Sequence, residues 1–179
     1  PKAESLLAQA TELERALSKH SEVGALKVGA TLTIGNYLAV GVMAQYMNTP
    51  TRPKVSLEVA NTSTIAKRVR DFELDIGLIE GELQASELEV IPWREDRLVA
   101  FCSPTHPLAA KGELTDDDLR AATWILREQG SGTRQSFERG MHGLLPDLNV
   151  LLELEHTEAI KRAVEADLGI GCLSEVVLA

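Results

Sequence analysis

Apolar residues recur along this chain with two different periods. In residues 4–19, ESLLAQATELERALSK, Leu6, Ala10, Leu13 and Leu17 fall at spacings of four, three and four. That is the narrow seam of a helix that pairs with another helix, with Glu4, Glu12, Glu14, Arg15 and Lys19 mostly on its other faces. From residue 25 the pattern changes to short aliphatic runs that alternate with helical periods. Strands are predicted over 25–31, 54–60, 74–80, 124–126, 149–155 and 169–174, with extended segments at 87–93 and 97–102. Helices are predicted over 37–47, 64–72, about 133–144 and 157–166, and a last one begins after residue 174. Another starts in LTDDDLRAA, where Thr115 is the N-cap and Asp118 stands in the capping-box place. Repeated βαβ units imply an α/β fold with parallel sheets covered by helices on both faces. The division expected is a linker helix at 1–22, a first lobe at 23–96 and a second at 97–179. The chain opens without a methionine in mid-helix and stops within an element, the layout of a piece of a longer protein.

Composition narrows the classes. A net charge of -9 in 179 residues makes the chain by itself a poor partner for nucleic acid. No apolar run reaches membrane length, and PKAESLLAQA lacks a signal-peptide layout. Cys102 and Cys172 lie far apart, as buried thiols of a reducing, cytoplasmic compartment would. Motifs for catalysis are absent. GSGTR has neither the lysine nor the spacing of a phosphate-binding P-loop, and GIGCLS lacks a third glycine. Ser131 has no nucleophile elbow. His20, His106, His142 and His156 show no metal-ligand spacing. The reading is a non-enzyme with no cofactor and no metal.

What remains is a set of hydroxyl residues where strands give way to helices. Thr31 and Thr33 stand in GATLTIGN, Thr62, Ser63 and Thr64 in NTST, Ser131 and Thr133 in GSGT, and Thr157 after His156. Ligands of parallel sheets bind at this edge, where helix N-termini offer free N–H groups and a positive dipole end. A small anion would use all of these donors. Helix capping by Ser and Thr explains the same residues, so the chemistry alone leaves both readings open. Arg134, in the first turn of a helix, opposes the dipole and needs a partner. An ion pair with Glu138, four residues on, is favoured over a bound anion.

The segments LKVGATLTIGNYL, VSLEVANTSTIAKRV, ELDIGLIEG, CSPTHPLA, WILREQGSGTR and EHTEAIKRAVEADLGIGCLS, in this order, resemble the effector-binding domain of LysR-type transcriptional regulators. NTST and LIEG are most similar to the branch that regulates sulfur and carbon-dioxide assimilation. The resemblance implies two flavodoxin-like lobes of the periplasmic-binding-protein type II kind, with a small-molecule effector in the cleft between them. It assigns effector binding to Thr31, Thr33, Ser63, Ser131, Thr133 and His156. It also implies an N-terminal winged helix-turn-helix that carries DNA binding, a homodimer of this domain and a homotetramer of the full-length protein, with no membrane partner. Val40 replaces a proline usual in the family, and the family's closing strand and helix of the first lobe have no counterpart here, so that lobe is expected to be incomplete. A periplasmic-type solute-binding protein would share the fold. It would need a signal peptide and has no use for the seam helix.

Overall fold

The computed structural model describes residues 25–178; the predicted seam helix and the linker segment 1–22 lie outside the described residues. The chain builds two α/β lobes, one after the other. In lobe I, strand β1 (Leu26–Ala30) is followed by helical segments Leu32–Ile34, Gly35–Ala39 and Val40–Met47, which run on as one helix, α1. Then come β2 (Val55–Val59), α2 (Thr62–Arg70) and β3 (Ile76–Leu78). The three strands form a parallel sheet in the order β2-β1-β3.

Lobe II starts with β4 (Leu98–Phe101) and continues with α3 (Asp116–Ala121), β5 (Thr123–Arg127), α4 (Gly132–Gly140), β6 (Asn149–Leu154), α5 (Thr157–Glu165), β7 (Ile170–Ser174) and α6 (Glu175–Leu178). Its sheet has the order β4-β7-β5-β6. The βαβ units supply the parallel pairs β5–β6 and β5–β7, whereas β4 runs antiparallel to β7, so the expectation of wholly parallel sheets fails at that edge. β4 enters by a crossover from lobe I with no helix to reverse it, and nothing constrains it to run with its neighbours. Two other expectations fail. Residues 87–93 form no strand, and α1 begins at the turn after β1, five residues before the predicted start at 37. The early part of α1, Gly35–Ala39, is π-helical, and Gly35 lies against Val59, where an added Cβ would stand 2.7 Å from Cγ2.

Lobe II has a core on each face of its sheet. Trp124, Leu126, Phe137 and Ile170 fill one, with the Trp124 and Phe137 rings edge-to-face at 4.9 Å. Ile125, Ile160, Val164, Leu173 and Val177 fill the other. This is the two-sided burial that a parallel sheet requires. Cys172 is buried here, and burial pushes its thiol up to about 12, leaving it inert. At α3 the capping box forms as expected, the Thr115 amide donating to Asp118 at 3.0 Å and the Asp118 amide to Thr115 Oγ1 at 3.3 Å. Lys111 joins it and brings the Asp118 carboxyl down to about 2.

α2 ends in a Schellman arrangement, the Phe72 amide donating to Val69 O and the Glu73 amide to Arg68 O. Phe72 holds the left-handed position, φ 58°, and is 93% exposed. A left-handed L-residue costs about 1–2 kcal/mol, and glycine gives back about 0.5–1 kcal/mol in unfolded-state freedom. Phe72→Gly is therefore expected to raise unfolding free energy by about 0.5–1 kcal/mol, measured by urea titration.

Candidate functional site: the cleft between the lobes

The carboxyl edges of the two sheets face each other, which the contacts between lobes establish. After β2, Ser63 donates from its amide (3.3 Å) and its hydroxyl (3.4 Å) toward the Gly130 carbonyl that follows β5. Asn61 Nδ2 reaches Glu128 Oε1 at 3.5 Å. After β3, Glu80 receives Thr133 Oγ1 at 3.4 Å on its carboxylate, and the Glu82 amide donates to Gln135 Oε1 at 2.9 Å. Arg139 pairs with Glu82. On α1, the Tyr37 hydroxyl donates to Glu158 at the start of α5, 3.2 Å away.

Closest of all is backbone against backbone. A Cβ at Gly132 would fall on the carbonyl of Glu80, and one at Gly81, whose φ is +82°, would stand 2.6 Å from Gln135 Oε1 and 3.0 Å from the Gly132 Cα. Gly130, at φ +87°, takes a conformation open to glycine and would otherwise press on the Ser63 hydroxyl at 3.0 Å. These glycines let the GSGT turn of lobe II touch the Glu80–Gly81 turn of lobe I.

The structure shows, junction by junction, which of these residues cap a helix. Ser131 is a cap: its hydroxyl accepts from the Arg134 amide at 3.4 Å. At the second junction Asn61 is the cap, accepting from Thr64 at 3.0 Å, so the three hydroxyls after it are free of that task. Thr62 Oγ1 instead donates to the Glu80 carbonyl at 3.0 Å. His156 holds the N-cap place of α5, exposed, without a side-chain cap bond. At the first junction Thr31 holds the N-cap place of α1, and its side chain does not cap. Thr31 and Thr33 are 3% and 2% exposed, and both hydroxyl oxygens are sealed from solvent without a hydrogen-bond partner. An orphaned buried hydroxyl costs roughly 1–3 kcal/mol, so neither is explained by stability.

The six residues expected to bind an effector are not all in one chamber. Thr33 and Thr133, with Glu80, line a cavity of about 940 Å³ that extends along β3 and the segment 81–96. Ser63 and Ser131 line a smaller one of about 260 Å³. Thr31 and His156 line neither cavity. Arg134 is paired as expected, with Glu138 at 2.7 Å, and in addition with Glu153 at 3.0 Å and the Arg127 carbonyl at 2.9 Å. Arg127 is 2% exposed and forks onto Glu128 at 2.8 and 3.0 Å. The two cations buried here are thus paired with carboxylates, and the polar groups left at the cleft are hydroxyls, N–H groups and helix N-termini.

Sequence reasoning missed Asn61, Glu80, Gly132 and Tyr37. Asn61 carried a signal, as a good N-cap residue directly before the hydroxyl run. The others are brought in from the opposite lobe, or by the early start of α1. Among the described residues there is no cluster of His, Cys, Asp and Glu fit to hold a metal ion, and no helix is long and apolar enough to cross a membrane.

Two α/β lobes with facing carboxyl edges and a polar cleft between them make this a two-lobed ligand-binding domain of the periplasmic-binding-protein type II class. The LysR substrate binding domain family matches residues 19–179, and the chain belongs to it. The HTH-type transcriptional regulator YeiE of Escherichia coli is 43% identical over 178 residues, 99% of this chain and 60% of that protein. CysL of Bacillus subtilis, also an HTH-type transcriptional regulator, is 34% identical over 161 residues, 89% of this chain and 53% of CysL. The chain thus spans little more than half the length of these relatives. Among solved structures, the regulatory domain of Synechocystis CcmR in complex with 2-PG superposes with a TM-score of 0.78 at 30% identity, over 87% of this chain and 74% of that one. The effector-binding domain of QuiR in complex with shikimate, 18% identical, shares the fold with a TM-score of 0.76 over 85% of this chain and 74% of its own.

The close approach at Gly132 is a sensitive test of this geometry. Gly132→Ala forces the lobes apart or strains both turns, and should lower stability by about 1–3 kcal/mol. For a protein of this size that is a fall of roughly 2–12 °C in Tm. Gly140→Ala, with open space around its Cβ, is the control and should be neutral or stabilising by calorimetry.

Proposed function

We propose that this chain is the effector-sensing and dimerising part of a LysR-type transcriptional regulator, and that its effector is a small oxyanion or carboxylate. The observation that carries the ligand reading is the pair of buried, unpartnered hydroxyls at Thr31 and Thr33. They sit at the start of α1, where the helix dipole favours negative charge, and a ligand that accepts their hydrogen bonds removes the cost of leaving them orphaned. Thr133, Ser63, Ser131 and His156 contribute from the remaining junctions as the lobes move. Residues 23–96 and 97–179 act as the two lobes, with 1–22 as the linker helix. No catalytic step is part of this reading. DNA binding belongs to the N-terminal helix-turn-helix that the relatives' names indicate. The family match supports a regulator over a periplasmic solute-binding protein, the second reading that this fold allows.

Sulfate, sulfite, thiosulfate, phosphate, nitrate and short organic acids would be screened by thermal shift at fixed ionic strength, so that screening of surface charge is not read as binding. A ligand at about one hundred times its Kd stabilises by about 2.7 kcal/mol, a Tm rise of roughly 5–11 °C. The expected result is such a shift from one anion, abolished in the Thr31→Ala/Thr33→Ala variant. A shift from neutral or aromatic metabolites alone overturns the anion reading.

Self-association rests on α1. Val40 is 61% exposed, Val42 45%, Tyr46 47% and Met47 42%, and no residue of Val40–Met47 is buried, an apolar surface that a lone domain leaves wet. Pairing of two domains, as the family resemblance implies, would cover it. Light scattering at tens of micromolar protein is expected to report a dimer, and Val42→Glu to shift it to monomer with Tm little changed.

A further inference from the structure

The Thr31 and Thr33 hydroxyls are sealed from solvent, so an effector reaches them only if the structure around the start of α1 opens. Of the side-chain hydrogen bonds among the described residues, Tyr37 to Glu158 is the one that ties α1 to lobe II. Tyr37 lies four residues after Thr33, on the same side of the helix. Glu158 lies in the first turn of α5, two residues after His156. The bond therefore spans the opening between the two helix N-termini that the proposed site needs.

Its chemistry suits a contact that is made and broken. Glu158 Oε1 accepts both Tyr37 (3.2 Å) and Lys161 Nζ (2.8 Å), so the carboxylate keeps a cationic partner when the tyrosine leaves. The Lys161 hydrogen bond holds Glu158 below the usual carboxylate range, and partial burial raises the Tyr37 phenol, so the donor and acceptor roles are those of a neutral hydroxyl and a charged carboxylate. Elsewhere the lobes meet where the Gly132 backbone lies against the Glu80 carbonyl and Gly81 lies against Gln135 and Gly132. A contact of that kind serves as a fulcrum, and the Tyr37–Glu158 bond closes the far side.

We propose that Tyr37 is the latch of the effector cleft, its hydrogen bond to Glu158 holding the ligand-free lobes shut over Thr31 and Thr33 and re-forming over the bound effector. This rests on the effector reading of those threonines. A latch that closes both states alters the rates of entry and exit and leaves their ratio nearly constant.

The test has two arms, both on this chain. In the first, without ligand, hydrogen–deuterium exchange at the amides of residues 33–41 is compared between parent, Tyr37→Phe and Glu158→Ala. Tyr37→Phe keeps the ring and removes one hydroxyl, so exchange should rise roughly two- to tenfold with the fold intact, as the net strength of one hydrogen bond sets the scale. Glu158→Ala should do the same and Glu158→Gln, which keeps an acceptor, less. In the second arm, stopped-flow binding of sulfate, sulfite and thiosulfate should show association and dissociation both faster by a like factor in Tyr37→Phe, with Kd within about twofold. Unchanged exchange overturns the latch. So does a loss of affinity carried by dissociation alone, which would assign the hydroxyl to ligand contact. If none of the three anions binds the parent, the anion reading fails for them and the exchange arm decides the latch by itself.

Discussion

The organisation of the cleft depends on how closely two backbone turns approach. Gly132 of lobe II lies on the Glu80 carbonyl of lobe I with no space for a Cβ, and Gly81 and Gly130 give way beside it. Contact between backbones is stiff, because neither side has a rotamer to change. Every other link between the lobes is set by it. Ser63 faces the Gly130 carbonyl, Thr133 faces Glu80, and Tyr37 meets Glu158 because the sheets are held edge to edge at this distance. The GSGT turn is thus a joint as well as a wall of the site.

That arrangement explains why polar residues of one type do different work. Hydroxyls at four helix starts look equivalent along the chain. In the fold, Ser131 caps a helix, Thr62 ties down the Glu80 carbonyl, Ser63 bridges the lobes, and Thr31 and Thr33 are left unsatisfied. Burying two donors without partners opposes folding. The buried cations follow the opposite rule. Arg127 and Arg134 are both paired with carboxylates, since an unpaired guanidinium in the interior costs far more than a lone hydroxyl.

Much of this was legible in the sequence, and the reason is local. Aliphatic runs of strand length, helical periods and turn residues act within a few positions of one another. Hence β1, β2, β5, β6 and β7 fall within a residue or two of their predicted spans, and the Thr115–Asp118 box forms as read. Arg134 with Glu138 is a pair one helical turn apart, and it too was visible. The family resemblance rests on the same local motifs, and the match over residues 19–179 bears it out.

The tertiary structure alone decided what depends on residues far apart in the chain. The antiparallel edge of β4 follows from the path between lobes, and the irregular segment 87–93 lies in that path in spite of its strand-like alternation. Glu80 reaches Thr133 across 53 positions and Tyr37 reaches Glu158 across 121, distances at which no periodicity operates. Which hydroxyls are caps and which are free depended on Asn61 taking one helix start and on nothing reaching Thr31 and Thr33. Side-chain type and spacing determined the elements and the list of donors. Only the tertiary fold determined which of those donors cap a helix, which tie the lobes together and which are left without a partner.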